Sequence, residues 1–464
     1  MSTDSSHEGI PGPTALFVDR YEVTMGQAYR AAGMDGEAVF ELFFRSLPPQ
    51  RGFTLAAGLE PVLRFLTDWR FEPEDLAFLR RERVCSDAYV DTLADLRFTG
   101  EVHAVPEGTV VFPEEPLLQV VAPIEQAQLV ETFLLNQINV QTVMASTAAR
   151  HVLAAGERSV VDFGSRRCLG IDAAMALARA SYLAGVKGTS NLLAGRRFGM
   201  PTFGTMAHSY VQAFDDEAEA FASYADQFPG TTLLVDTFDT LEGVDRVIQL
   251  ATGREDAIAV GGIRLDSGDH DALAREARRR LDAAGLHDVR IVASGGLDEH
   301  RIAALVVAEA PIDGFGVGAG LGVPPGANAL DLAYKLVAYD GTPRLKTSGA
   351  KETLAGRKQV FRQSRDGGFV ADVVAPWGAD LAGEPLLRPV MRGGQPLADA
   401  MPALTEIRAH AADQIGRLPE PLRGLDPGSS PYPVTISDEL LAASHDRRSR
   451  RGQTPRESAI EDVD

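Results

Sequence analysis

Two hydrophobic rhythms divide the chain. Between about residues 140 and 345, short apolar runs centre near 161, 187, 204, 234, 264, 292 and 316. Their intervals of about 18–30 residues are those of β/α units. Helical spacing fills the gaps at 171–183, 209–224, 240–250, 269–284 and 298–308. Right-handed βα repeats of this length close into a barrel. Seven strands are predicted and no eighth, so the expected barrel is irregular. An open doubly wound sheet is the competing architecture.

The flanks follow a different pattern. A helix is predicted over 19–32, a hydrophobic strand over 38–44, and helices near 54–69, 74–82 and 86–96, the last with Ser86 as N-cap. Short β-rich runs separated by PEG and PEEP turns over 98–121 predict an antiparallel unit, and a helix over 124–138 leads out of it. Strands and turns return over 356–400, followed by a helix over 408–417. The expected division is an N-terminal α+β domain over 1–139, an irregular (β/α) barrel over 140–345, and a segment, 346–444, that completes the N-terminal domain. Residues 1–13 read as a loose arm and 445–464 as a charged, disordered tail.

Composition narrows the function classes. The 464 residues carry a formal charge of −20, which argues against a nucleic-acid partner. No long apolar run or leader pattern is present, so a cytoplasmic protein without a membrane span is expected. Two cysteines are too few for a disulfide framework. Lysine is scarce, which makes Lys187, Lys335, Lys346, Lys351 and Lys358 weak candidates for a site that wants a compact ammonium.

The apolar runs end in polar or glycine residues: DFGSRR (162–167), KGTSN (187–191), TFGTMAHS (202–209), LLVDTFDT (233–240), IRLDSGD (263–269) and FGVGAG (315–320). In parallel sheets and barrels that end of the strands binds ligands. The run 202–207 reads as a buried strand delivering His208, which could be a base, acid, metal ligand or nucleophile, or simply a core histidine. Asp236 could orient that imidazole. Asp266 could accept ribose hydroxyls and stabilise charge at an anomeric carbon, with Arg264 on the same strand face; a buried ion pair is the alternative. Phe163 beside Arg166 and Arg167 suits a flat anionic ring. Gly295, Gly296 and Gly318 end the last two strands, where backbone N–H groups commonly bind phosphate; ligand-free tight turns are the alternative. No HxxxH or HExxH pattern occurs, so no protein-held transition metal is expected.

Taken together and in order, DFGSRR, KGTSNLLAG, FGTMAHS, LLVDTFDT, GIRLDSGD and FGVGAG resemble the nicotinate phosphoribosyltransferase family, with RYEVTMGQAY near the N-terminus included. The resemblance implies the type II phosphoribosyltransferase fold, α/β with an irregular barrel and a mixed domain from both chain ends. It implies a homodimer with shared active sites, in which Tyr21 crosses the two-fold interface. The implied substrates are nicotinate and 5-phosphoribosyl 1-pyrophosphate, with ATP as co-substrate and Mg²⁺ entering with the phosphates. His208 would be the phosphorylated histidine and Asp236 its partner. Arg264 and Asp266 would hold pyridine and ribose, Phe163 would stack on the ring, Arg166 would lie near its carboxylate, and Gly295, Gly296 and Gly318 would carry the 5′-phosphate.

Cys168-Leu169, Gly295-Gly296 and Ala319 depart from the residues common in the family. Ser190 separates the nearest rival, a nicotinamide phosphoribosyltransferase, because those relatives resemble this chain but carry an aspartate there. A phosphate-binding barrel lyase or isomerase is the alternative from another class.

Overall fold

The computed structural model describes residues 13–253, 259–323, 326, 329–347, 352–426 and 431–449. Lys351, most of the predicted arm and the tail beyond 449 lie outside the described residues.

The N-terminal part begins with α1 (Arg20–Ala31) and β1 (Glu37–Phe44). β1 is buried from Ala38 onward, as an apolar run in a central strand should be. Then come β2 (Thr54–Leu55), α2 (Leu59–Asp68), α3 (Pro73–Arg81) and α4 (Asp87–Leu93). Ser86 caps α4 as predicted, its side chain accepting from the Tyr89 N–H. β3 (Glu101–Ala104), β4 (Val110–Val111), β5 (Leu118–Pro123) and α5 (Ile124–Leu129) follow. The predicted antiparallel unit is present: β3 pairs with β5, and β4 with β2.

α6 (Glu131–Ala155) departs from expectation. It runs 25 residues and crosses the boundary drawn at 139/140. No glycine or proline interrupts it until Gly156, whose φ is +61°. Phe133, Leu134 and Ile138 pack in the N-terminal core, while Met144, Ala145 and Ala148 pack in the barrel core. One helix therefore serves both cores.

The barrel region contains β6 (Ser159–Asp162), α7 (Ile171–Leu183), α8 (Leu192–Phe198), α9 (His208–Gln212), α10 (Glu217–Gln227), β7 (Thr231–Leu234) and α11 (Thr240–Thr252). It continues through β8 (Val260–Leu265), α12 (His270–Ala283), β9 (Arg290–Ser294), α13 (Glu299–Val307), β10 (Gly314–Val317) and α14 (Ala319–Gly322). The parallel order is β6-β10-β9-β8-β7. Single bridges Asp162↔Thr189 and Thr189↔Thr202 extend it past β6. All seven predicted runs thus take part, two of them as single bridges. The run 202–207 is not a strand: beyond Thr202 the chain leaves the sheet, and no ladder joins it to β7 among the described residues. Side chains cross that gap instead.

The rest of the chain supplies β11 (Leu332–Tyr339), β12 (Thr342–Pro343), β13 (Lys358–Arg365), β14 (Gly368–Pro376), β15 (Glu384–Pro385), β16 (Arg388–Arg392) and β17 (Gln395–Pro396). It ends with α15 (Leu404–Gly416), α16 (Glu420–Arg423), β18 (Val434–Ile436) and α17 (Asp438–Ser449). β11 was expected within the barrel span, yet it pairs with β1 in the sheet β12-β11-β1-β5-β3-β16-β17. β13, β14, β15 and β18 form a separate four-stranded sheet. Val360 and Leu386 join the N-terminal core and Phe369 and Tyr432 the barrel core, so this segment serves both. Residues 445–449, expected to be disordered, are helical in α17. Buried Ser444 in that helix accepts from the Ala355 N–H.

A buried ion cluster fastens the two parts. Arg179 of α7 donates from Nε and Nη2 to Glu60, from Nη1 and Nη2 to Glu107, and from Nη1 to Gln141 of α6. Glu107 also accepts from the Gly58 and Leu59 N–H groups. Lys358 is likewise structural, with its Nζ 2.7 Å from Glu41 and both side chains buried.

Candidate active site

The strand ends of the parallel sheet meet at one mouth. Asp162 closes β6 and is buried, one oxygen accepting from the Gly164 N–H and the other from Thr189 Oγ1 at 2.7 Å. This fixes the neighbouring loop, where Ser190 is exposed and its N–H bonds the Asp162 carbonyl. Burial pushes the Asp162 carboxyl up against those two hydrogen bonds. Phe163 lies against Gly316 of β10, where a Cβ would stand 2.4 Å from the ring, so only glycine admits the phenyl group. Arg166 is exposed beside it; burial lowers the pKa of Arg264, and nearby Arg166 adds a smaller push in the same direction. Cys168 sits half-buried, with its thiol toward the Gly164 carbonyl, and burial raises it to about 11.

His208 is the first residue of α9 rather than the end of a strand. Its Nδ1 is 3.1 Å from Thr237 Oγ1, and its Nε2 is 3.7 Å from Asp266 Oδ2. The expected partner, Asp236, is not its hydrogen-bond or ion-pair partner. Asp236 Oδ2 accepts instead from the Asp266 N–H at 2.9 Å and from Ser267 Oγ at 2.6 Å, because the β7 and β8 ends lie side by side. Its Oδ1 is buried without a partner.

Asp266 is the hub. Its Oδ1 accepts from Ser294 Oγ at 2.5 Å and lies 4.0 Å from Arg264 Nη2. Burial opposes ionisation, but the Ser294 hydrogen bond, Arg264 and His208 together hold this carboxyl below the usual range. Arg264 donates to Thr205 Oγ1 at 2.7 Å, and its Nε is buried without a partner. The Arg264–Thr205 and His208–Thr237 contacts span the open edge of the barrel, with His208 also facing Asp266.

Gly295 and Gly296 have φ of +84° and +63°. A Cβ on Gly295 would stand 1.7 Å from the Asp266 carbonyl oxygen, so packing alone demands glycine there. The Gly296 carbonyl accepts from Arg301 of α13. Gly318 precedes α14, and a Cβ there would meet nothing closer than 3.6 Å, so its surface is open to a ligand.

His208, Asp236, Arg264, Asp266 and Gly295 are thus joined by direct contacts. Arg166 lies near Arg264, Phe163 lies against Gly316 and near Gly318, Gly296 follows Gly295, and Ser190 bonds the end of β6. Tyr21 stands apart on α1, 45% exposed and beside Glu131 of α6. His151, further along α6, adjoins Gly320. The two α6 residues are twenty positions apart, about 30 Å at 1.5 Å per residue. The sequence reading missed Thr205, Thr237 and Ser294 as partners. Their signal was a hydroxyl residue beside each candidate, which is too common to single out.

Comparison with known proteins places this geometry in context. The chain matches the nicotinate phosphoribosyltransferase (NAPRTase) N-terminal domain over residues 16–139, the NAPRTase family over 158–345, and the nicotinate phosphoribosyltransferase C-terminal domain over 379–443. It is 56% identical over 427 residues to nicotinate phosphoribosyltransferase pncB2 of Mycobacterium tuberculosis, covering 92% of each chain. It is 42% identical over 356 residues to the Bacillus subtilis nicotinate phosphoribosyltransferase, covering 75% of this chain and 73% of that one. Its fold is similar to the crystal structure of human nicotinic acid phosphoribosyltransferase, with a TM-score of 0.82 and 32% identity over 92% of this chain and 99% of that one.

Proposed function

The chain belongs to the nicotinate phosphoribosyltransferase family, and on that premise we propose that it makes nicotinate mononucleotide in NAD salvage. Nicotinate and 5-phosphoribosyl 1-pyrophosphate become nicotinate mononucleotide and pyrophosphate, while ATP and water become ADP and phosphate. The observation that carries this reading is Asp266, held ionised at the centre of the mouth by Ser294, Arg264 and His208. As pyrophosphate leaves, positive charge develops on the anomeric carbon. A fixed carboxylate stabilises that charge, and the pyridine nitrogen then closes the new bond.

The other side chains suit the substrates. Phe163, backed by Gly316, offers one wall for the ring, and Arg166 a cation for its carboxylate. Arg264 has a buried Nε–H still to give. Ser190 is neutral, whereas a carboxylate there would repel nicotinate, and this favours nicotinate over nicotinamide. Gly295, Gly296 and Gly318 hold the 5′-phosphate, the last with open space before it. Mg²⁺ fits as a companion of the phosphates: no group of three or more potential ligands could cage it among the described residues. Asp236, with its partnerless Oδ1, and Asp266 would hold it there, where it neutralises phosphate charge.

Thr237 occupies His208 Nδ1, which leaves Nε2 to attack the γ-phosphorus of ATP. The N–P bond forms as the bond to ADP breaks, and water later releases phosphate from the histidine. Two free cysteines suit a reducing cytoplasm, and no described helix is long and apolar enough to cross a membrane.

The enzyme works as a homodimer in which each mouth borrows Tyr21 from the partner. Within one chain Tyr21 adjoins Glu131, which lies about 30 Å along α6 from His151 beneath the phosphate loops, and this favours the partner's mouth as the one it covers. Apolar side chains rim the mouth, with Leu169 85%, Leu192 75% and Phe238 66% exposed, as expected of a surface that meets another.

Incubation with ATP should label the protein with an acid-labile phosphate, and His208→Ala should abolish that label. Full labelling of the variant would place the phosphate elsewhere.

A further inference from the structure

His151 of α6 lies beneath the two glycine loops and is completely buried. Its Nδ1 is 2.9 Å from the Thr147 carbonyl, an oxygen that can only accept, so Nδ1 carries the proton. In the neutral ring Nε2 is therefore a bare lone pair. It is buried with no hydrogen-bond partner and lies 3.7 Å from Glu299 Oε2. Glu299 opens α13, just beyond Gly295-Gly296, and Arg150 holds its other oxygen at 3.1 Å. On the other side, a Cβ on Gly320 would come within 3.2 Å of Nε2 and 2.6 Å of the Leu297 carbonyl. Ring, α13 loop and α14 loop are thus in close contact.

A lone pair facing a carboxylate is an unfavourable arrangement that one proton converts into an ionic hydrogen bond. We propose that His151 is a positioning residue for the phosphate subsite: when a phosphomonoester binds, Nε2 takes a proton from solvent and donates it to Glu299. This rests on reading the glycine loops as that subsite. The groups around the ring set the balance. Burial, with Arg51 from the segment before β2, opposes protonation and holds the ring neutral without ligand, while Glu299, the Thr147 carbonyl and Asp298 favour it. Arg150 faces the same carboxylate and shares it. A bound anion above the loops adds the negative charge that tips the balance. The new N–H···O bond then draws the first turn of α13 onto α6 and fixes both loops around the phosphate.

The test uses ribose 5-sulfate, whose single charge is constant from pH 8 to pH 5.5. Its affinity is measured by calorimetry in the His208→Ala background, so that the mouth histidine does not titrate. Binding should tighten about fivefold toward pH 5.5. In His151→Gln added to that background, the affinity should become independent of pH. Glu299→Gln, which removes the proton's acceptor, should flatten the profile equally and serves if His151→Gln does not fold. An unchanged pH dependence in the folded variants overturns the proposal and leaves the phosphate reading intact. Absence of binding at every pH, with all proteins folded, overturns the phosphate reading and this proposal with it.

Discussion

At the seam between the two parts of the chain, Arg179 engages every N–H it has, and both Glu107 oxygens are occupied. At the mouth, Arg264 keeps a buried Nε without a partner, Asp236 keeps a bare Oδ1, and His208 stops 3.7 Å short of Asp266. Both clusters are built from arginine and carboxylate; the seam is buried, while the mouth leaves Asp266 and His208 partly open to solvent. They differ in saturation. Burying a polar group unpaired costs about 1–3 kcal/mol, so unpaired groups gathered at one mouth are groups that a ligand can complete. A saturated cluster reads as a fastening, and an unsaturated one as a place that waits for a ligand.

The sharpest way to break this contrast is at the seam. Arg179→Ala should lose about 3–5 kcal/mol of unfolding free energy, because it strands Glu107 among buried groups. Denaturant titration measures the loss, and whatever folds should keep its KM for nicotinate. A stable variant with a crippled active site would erase the distinction. The reverse is expected at the mouth. Asp266→Asn should lower kcat/KM about 10²- to 10³-fold, or ~3–4 kcal/mol of transition-state stabilisation, while its thermal midpoint stays near wild type. A large drop in midpoint would make Asp266 a fastening too.

The smallest effect sharpens the comparison by asking what else completes the mouth. Tyr21→Ala and His208→Ala should each be nearly inactive. Dissociated together and reassembled in equal amounts, they should recover about a quarter of wild-type activity, because about half the dimers then hold one intact site. No recovery, with mixed dimers confirmed by mass spectrometry, would leave Tyr21 without a role in the partner's site.

Much of this was legible in the sequence. The seven apolar runs, the helices at Ile171–Leu183 and Thr240–Thr252, and the Ser86 cap follow from local periodicity and capping chemistry. The strand-end residues were legible because each closes an apolar run. What failed was non-local. Nothing in LAYKLVAY says that it pairs with β1 nearly three hundred residues earlier rather than with a barrel strand. The length of α6 was hidden because its second half is alanine-rich and buried, so it lacks the apolar stripe of a surface helix. The partner of His208 was misassigned for a similar reason. Asp236 and Thr237 are neighbours at a strand end, and the turn beyond β7 decides which of them faces the imidazole.

α6 also limits where the chain can change length. Adding or deleting one residue in a continuous helix turns everything beyond it by roughly 100° and shifts it by about 1.5 Å. Phe133 and Ile138 are seated in one core, and Met144 and Ala148 in the other. A single insertion between them would unseat one set whichever way the rod slid. Insertions and deletions that separate this chain from its relatives must then collect in the turns, and this stretch should keep its residue count even where its residues drift.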